Sequence, residues 1–164
     1  MGKTIMALIG VILGFLLGEG SRYIRFKCEL GRLKNAIKKE LEFNLNLLPY
    51  RRNQINDIIK ELKNERTLMI FSIKFMYIGY KGSIEKLYPY YSSNERICLH
   101  DIYERLMITD ELISQYDSDI KASFSIMKDP YYTYVNLFSD ALTKLDLVEE
   151  TIRNFLKGDF KNIF

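Results

Sequence analysis

Hydrophobic residues recur at every third or fourth position along most of the chain, which is the spacing of one face of an α-helix. Before Pro49 these positions are Leu30, Leu33, Ile37, Leu41, Leu45 and Leu48. After Pro49 they are Ile55, Ile59, Leu62, Met69, Ile73 and Met76. Proline lacks the amide hydrogen that a helix interior needs, so we predict that one helix ends at Pro49 and a second begins there.

The latter half of this second helix has an ambiguous composition. Residues Leu68 to Ile78 include many β-branched and aromatic side chains, which strands also favour. Eleven residues that include Ser72 and Lys74 are too few to span a membrane. We interpret the stretch as a buried core helix. The following loop is predicted to contain a short helical turn at 83–87.

Two further helices have clear boundary signals. Ser92 with Glu95 three residues later matches a capping box, and Asp129 before Pro130 is predicted to cap the last helix, which should stop at Gly158. We call the row of residues at this three-to-four spacing along a helix its seam. The seam of the third helix comprises Leu99, Ile102, Leu106, Thr109, Ile113, Tyr116 and Ile120. The seam of the fourth helix comprises Tyr134, Phe138, Ala141, Leu145, Val148, Ile152 and Phe155. The pattern predicts an all-α, antiparallel, coiled-coil-like bundle of about four helices.

The chain opens with an apolar run that we predict to be a single-pass transmembrane helix continuing into the bundle. The fourteen residues from Ile5 to Gly18 carry no charge. They cover roughly 21 Å as a helix, against about 30 Å for a hydrocarbon core. Lys3 can reach the near interface while the bilayer thins. The predicted domains are therefore an anchor at 1–20 and a helical domain at 21–164.

Two other interpretations of the opening run stay open. A lysine, an apolar stretch and the small residues Gly18 and Gly20 resemble a secretory leader that is cleaved near Gly20. Glu19 within that site and the basic segment beyond it argue against cleavage and export. The run is also compatible with a buried or re-entrant helix.

Positive charge is concentrated directly after the apolar run. Residues 19–39 contain seven Lys or Arg against two Glu, whereas residues 40–164 contain sixteen against nineteen acidic residues. We expect Arg22, Arg25 and Lys27 to contact lipid headgroups. The basic flank predicts an outer N-terminus and a cytoplasmic C-terminal domain at the cell membrane. The distribution does not favour nucleic-acid binding, since the rest of the chain offers no basic face to a phosphate backbone.

Two sets of residues are candidates for protein contacts. Gly10, Gly14 and Gly18 repeat at every fourth position, so another helix could approach closely along that face. The alternative is a span that is rich in glycine but has no role in helix association. Tyrosines also cluster before the third helix, where they either cap the core or bind a partner. The partner-binding candidates are Tyr88, Tyr90 and Tyr91.

Local patterns for catalysis are absent from the sequence. His100 is the only histidine, and it follows Cys98 at a spacing that turns the two side chains about 200° apart on a helix. No metal-ligand cluster, phosphate loop or small-molecule site is evident, so no cofactor is predicted. The acidic residues of the third helix alternate with arginines, as on a solvated face. They are Glu95, Asp101, Glu104, Asp110 and Glu111.

These observations predict a membrane-anchored, non-enzymatic helical protein that acts as a scaffold, an adaptor or an accessory subunit of a membrane assembly. Its expected partners are membrane lipids and either another protein or a second copy. One alternative is a membrane-acting effector or signal transducer whose anchors associate through the glycine stripe. The other is an exported helical protein released after cleavage of a signal peptide.

Overall fold

The computed structural model describes residues 2–69, 72–122, 124 and 129–159, without the side chains of residues 2–5, 7, 8 and 11. The described chain is helical, with no strand, which confirms the all-α prediction. It contains the α-helices α1 (Gly2–Lys63), α2 (Ile78–Leu87), α3 (Ser93–Ala122) and α4 (Pro130–Lys157), and one 3-10 helix (Tyr88–Tyr90). The two predicted seams on α3 and α4 line the core, with Ile120 partly buried at its margin.

The chain reverses direction after α1, before α3 and again before α4. Glu40 and Arg51 of α1 bond to Tyr103 and Asp110 of α3, so α1 and α3 run parallel. The chain between them returns through an extended segment and α2. Tyr116 of α3 packs on α4 at Phe138, while Asp119 accepts a hydrogen bond from Tyr134, so α3 and α4 are antiparallel.

Pro49 does not separate two helices, and that prediction is wrong. It lies on the exposed side of α1, which continues unbroken from Gly2 to Lys63. Leu48 and Arg51 are fully buried on either side of the proline. Because both halves of α1 pack into the same core, tertiary contacts outweigh the local cost of one lost backbone hydrogen bond.

The segment from Leu68 to Ile78 is not a core helix, which corrects the second prediction. The first helix ends at Lys63, where Glu65 adopts a left-handed conformation with φ 53° and the amide of Arg66 donates to the carbonyl of Glu61 at 3.0 Å. Residues 66–69 and 72–77 are non-helical, and α2 starts at Ile78. Met69, Ile73 and Met76 are consequently exposed. Helical spacing was therefore not enough to make a helix of a composition that strands also favour.

Side chains of α1 and α3 replace the hydrogen bonds that a helix or sheet would give the extended segment. We call residues 66–77 the strap; its residues 70 and 71 lie outside the described chain. Asn44 accepts from the amide of Met76 at 2.7 Å and donates to its carbonyl at 2.8 Å. The hydroxyl of Tyr116 accepts from the amide of Leu68 at 3.2 Å. Since polar backbone groups in a bundle need partners, these contacts allow an extended strap to replace a helix.

The boundaries of α3 and α4 agree with the sequence signals except at Asp129. Ser92 and Glu95 form the reciprocal capping box, with amide contacts at 2.7 and 3.3 Å. Asp129 precedes α4 but has φ 49° and forms no side-chain cap hydrogen bond. A capping aspartate normally has extended backbone, so this left-handed geometry disfavours the predicted cap. Gly158 ends α4 at φ 74°, as predicted.

Candidate functional site

The N-terminal part of α1 projects beyond the bundle. Within the described chain, the first ring or ion-pair contact of α1 with another element joins Phe26 to Tyr90, with ring centroids 5.4 Å apart. Glu29 follows with an ion pair to Lys86 at 3.9 Å. The helix from Gly2 to Phe26 is about 36 Å long at 1.5 Å per residue. We call this projecting helix the rod.

The described bulky apolar side chains of the rod are exposed. They are Met6, Ile9, Ile12, Leu13, Phe15, Leu16, Leu17, Tyr23, Ile24 and Phe26, with exposures between 40% and 77%. Scattered apolar residues are normal on a surface, but a continuous patch of this size marks an interaction surface. The rod is therefore the leading candidate for the functional surface.

The glycine stripe also faces open space. A Cβ added at Gly10, Gly14 or Gly18 would have no neighbouring atom within 4 Å. The described contacts place no other helix against this face of the rod. Its predicted role in association remains a prediction.

Among the described residues, no helix combines the length and the apolar character that a membrane crossing requires. The transmembrane span at 1–20 therefore also stays a prediction.

The predicted headgroup contacts lie at the level where the rod meets the bundle. We call Arg22, Arg25 and Lys27 the basic collar. All three are exposed, and Arg22 also pairs with Glu19 at 2.9 Å. The Lys27 ammonium lies 5.5 Å from the ring centroid of Tyr23. The collar thus presents cations and an aromatic ring on one short stretch of α1.

The three candidate tyrosines occupy two different environments. Tyr88 and Tyr90 belong to the 3-10 helix and are 53% and 44% exposed. Tyr91 is buried at 7% exposure and packs edge-on against Phe155. Burial, assisted by the charge of Glu95, raises the pKa of Tyr91 to about 12. Only Tyr88 and Tyr90 are therefore placed to contact a partner.

The most buried charges hold the strap in place. Arg51 is fully buried and donates to Asp110 Oδ1 at 2.6 Å, to the carbonyl of Ile73 at 2.6 Å and to the hydroxyl of Ser72. Asp110 Oδ2 accepts from the amide of Phe75 at 2.9 Å. The expected solvated position of Asp110 is wrong, because its carboxylate faces Arg51 in the bundle interior.

Burial changes the titration of the groups in this network. It lowers the pKa of Arg51, while the carboxylate of Asp110 acts in the opposite direction. Tyr77 donates to Asp110 Oδ2 at 2.6 Å, and burial together with that hydrogen bond raises the pKa of Tyr77. The opposite charges of Arg51 and Asp110 compensate each other, as a buried ion pair requires, while Arg51 Nε has no hydrogen-bond partner among the described residues.

A second buried carboxylate fixes α2 on α1. Glu40 accepts from the amides of Gly79 at 2.6 Å and Tyr80 at 3.0 Å, and from the hydroxyl of Tyr103 at 2.7 Å. These amides belong to the first turn of α2, whose N-terminus attracts negative charge. A Cβ at position 79 would lie only 3.2 Å from Glu40 Oε2, so the close approach favours glycine there. Glu40 acts as an N-terminal cap supplied by another helix.

The sequence did contain a signal for these buried polar residues. Glu40, Asn44 and Arg51 fall at the three-to-four spacing of the apolar seam of α1, between Ile37 and Ile55. Polar residues on an otherwise apolar face are buried with partners or mark a functional position. The signal indicated burial, but it could not identify the partners on α3 and the strap.

The residues with catalytic chemistry remain apart. His100 is exposed, and its Nδ1 lies 3.3 Å from Glu104 Oε2. Cys98 is buried, which raises the pKa of its thiol to about 12, whereas Cys28 is exposed. The described residues contain no group of three or more His, Cys, Asp or Glu side chains that could hold a metal ion.

Comparisons with protein-family models, curated proteins and solved structures found no match to this chain. The fold and surface instead define a class: a helical bundle whose first helix extends beyond it as an exposed apolar rod. The buried polar network positions the strap and α2 within that bundle. The rod and the adjoining end of the bundle form the candidate functional surface.

Alkaline pH should destabilise the fold through its buried tyrosines. Tyr91 has a pKa of about 12 in the folded chain against 10.0 for an ordinary tyrosine. A raised folded pKa means that its contribution to stability is complete below pH 10.0 and is lost as pH rises toward about 12. Far-ultraviolet circular dichroism should show helix loss in that window, later in pH for Tyr91→Phe than for wild type. An identical midpoint in the two proteins would contradict this assignment.

Proposed function

We propose that this protein is a membrane-anchored, non-enzymatic helical bundle that serves as a scaffold, an adaptor or an accessory subunit of a membrane assembly. The carrying observation is the exposed rod, whose described apolar side chains lie outside the bundle core. The rod continues directly into the part of α1 that packs in the bundle. A helix satisfies its interior backbone groups itself, so it can enter lipid without further partners.

Burial of apolar surface supplies the free energy for membrane attachment. A fully buried Leu, Ile or Phe side chain gains about 1.5 to 3 kcal/mol over an exposed one. Leu13, Phe15, Leu16 and Leu17 are each more than half exposed. Transfer of these four side chains into hydrocarbon therefore favours insertion by several times the free energy of burying one. Lys3 near one end and the basic collar at the other provide the charged flanks.

The flanking charges also support one orientation. The collar side carries more Lys and Arg than the N-terminal side, and such a flank normally stays in the cytoplasm. The N-terminus would then lie outside the cell and the bundle inside. The uncharged run is shorter than a hydrocarbon core, so the proposal includes local thinning of the bilayer around the anchor.

The interior of the bundle supports a structural role. Arg51 and Asp110 are used to hold the strap, and Glu40 to cap α2. Groups committed in this way are unsuited to a catalytic cycle, because removal of one partner leaves a buried charge uncompensated. The exposed helical surface is then the part available to an assembly.

Charges placed in the rod test the anchor. The double variant Leu13→Glu and Leu17→Glu should release the full-length protein from carbonate-washed membranes, because an acidic residue near a membrane-helix centre costs about 2.5 to 3.5 kcal/mol. The matched control is Leu137→Glu with Leu147→Glu, two leucines on α4 that are 43% and 49% exposed. The control should stay in the membrane fraction. A freely soluble wild-type protein would refute the anchor.

Cysteine labelling in spheroplasts tests the orientation. The background variant is Cys28→Ser, which leaves only the buried Cys98. A cysteine introduced at residue 2 should react with an impermeant reagent, whereas Tyr132→Cys, at an exposed site on α4, should react only after permeabilisation. Labelling of the Tyr132→Cys protein in intact spheroplasts would reverse the proposed topology.

The open glycine stripe supports a second candidate function, that of an effector or transducer whose anchors associate. Gly10, Gly14 and Gly18 leave room for close helix approach. Replacing all three by leucine should then reduce crosslinking between copies in membranes while insertion is retained. Unchanged crosslinking would exclude this mode of association.

A further inference from the structure

We propose that the end of the bundle beside the rod is a second membrane contact, which rests on the bilayer interface and takes anionic lipid headgroups. This inference builds on the proposed anchor. We call the contact the base patch. It lies next to the basic collar and takes residues from α1, the 3-10 helix and α3. It consists of Tyr23, Phe26, Lys34, Tyr88, Tyr90 and Arg96.

The geometry places Tyr90 of the base patch at the depth of the collar. Phe26 lies one turn from Arg22 on α1, and its ring contacts Tyr90 at a centroid distance of 5.4 Å. Lys34 donates from Nζ to the carbonyl of Tyr90 at 2.8 Å and ties the 3-10 helix to α1. Because the rod carries the collar to the membrane surface, it carries Tyr90 there as well.

The aromatic members have the chemistry of an interfacial belt. Tyr88 and Tyr90 are exposed, while Leu87 directly before them is fully buried. Pro89 lies in the first turn of the 3-10 helix and stabilises its backbone. Tyrosine has an apolar ring and a polar hydroxyl, so it is favoured where hydrocarbon meets headgroups.

One cation of the base patch and one of the collar lie over aromatic rings of the patch. The Arg96 guanidinium is 4.5 Å from the ring centroid of Tyr88, and the Lys27 ammonium of the collar is 5.5 Å from that of Tyr23. Of the nearby acids, Glu19 and Glu29 pair with Arg22 and Lys86, and Glu95 accepts from the amide of Ser92. The remaining basic residues complement an anionic leaflet.

An anionic bilayer fits this surface better than an acidic protein. The cations surround the base of an exposed apolar rod, and a bilayer offers hydrocarbon and negative charge at adjacent depths. The consequence is mechanical. One inserted helix leaves a bundle free to tilt, whereas a second contact holds its base against the leaflet.

Single tryptophans can measure the depth of each part, since the chain contains no natural tryptophan. Leu16→Trp reports on the rod, Tyr90→Trp on the base patch and Tyr132→Trp on the far end of the bundle. Tyr132 is 71% exposed and lies about 34 Å along α4 from Phe155, which packs beside the base patch. The full-length variants are reconstituted in vesicles that contain lipids brominated at shallow or deep acyl positions.

We expect deep quenching of Leu16→Trp, shallow quenching of Tyr90→Trp and no quenching of Tyr132→Trp. If Leu16→Trp is quenched but Tyr90→Trp is no more quenched than Tyr132→Trp, the base patch is overturned and the anchor is left intact. An unquenched Leu16→Trp would instead overturn the anchor, and the base patch with it. Circular dichroism of each variant verifies the helical fold.

Lipid charge tests the headgroup assignment. Shallow quenching of Tyr90→Trp should be stronger in phosphatidylcholine vesicles containing phosphatidylglycerol than in phosphatidylcholine alone. Adding Arg96→Gln to Tyr90→Trp should reduce this difference, whereas adding Lys121→Gln, at an exposed site in the last turn of α3 and far from the base patch, should not. Equal quenching in both lipids would show that the patch does not recognise anionic headgroups.

Discussion

Replacing Asp110 with alanine should lower the free energy of unfolding by about 3 to 5 kcal/mol, because it leaves the guanidinium of Arg51 buried without its counter-charge. The same change removes the acceptor for the amide of Phe75 and the hydroxyl of Tyr77. Chemical denaturation of the full chain in mild detergent, followed by circular dichroism, measures the loss. The strap should also become more accessible to proteases.

The same helix offers a matched control. Asp101 pairs with Arg105 at 2.8 Å, but both side chains are about one-third exposed. Asp101→Ala should therefore lower stability by only about 0.2 to 1 kcal/mol. The double variant Arg51→Met with Asp110→Leu should recover part of the loss, since it leaves no buried charge unpaired. Equal losses for Asp101→Ala and Asp110→Ala would contradict the importance of burial.

Replacing Tyr116 with alanine should also lower the free energy of unfolding by about 3 to 5 kcal/mol, as expected for loss of a large core ring. Tyr116 is fully buried, and its ring packs against Phe124, Tyr134 and Phe138. Removal leaves a cavity where α3 meets α4. The midpoint of denaturation measures the effect.

Tyr116→Phe separates packing from hydrogen bonding. It keeps the ring and removes only the hydroxyl that accepts from Leu68. We expect a loss of about 1 kcal/mol, the usual net contribution of a hydrogen bond. If phenylalanine were as destabilising as alanine, the contact with the strap, and not the ring cluster, would dominate at this position.

The helices with unbroken seams and explicit boundary signals were predictable from local sequence. The seams of α3 and α4 became their buried faces, and Gly158 ended α4 in a left-handed conformation. Ser92 and Glu95 formed the capping box because its two hydrogen bonds need only residues three positions apart. Local spacing is enough where the partner lies on the same helix.

The strap and its partners were not predictable in this way. The spacing of Ile59, Leu62 and Met69 suggested one helical face, yet the chain turns at Glu65, and residues 66–69 and 72–77 are non-helical. Asp110 had the sequence context of a solvated acid, since its partner Arg51 lies 59 residues away. The identity of a buried partner depends on how the legs pack, which a periodic pattern does not encode.

The sequence by itself determined the all-helical class, the seams of α3 and α4, the apolar run near the N-terminus and the basic segment after it. Only the tertiary structure decided that α1 passes through Pro49, that the described residues of the strap are not helical and that Tyr90 lies against Phe26. The physical reason is distance along the chain. Periodicity and capping depend on residues within a turn or two, whereas burial and ion pairing depend on groups that only the fold brings together.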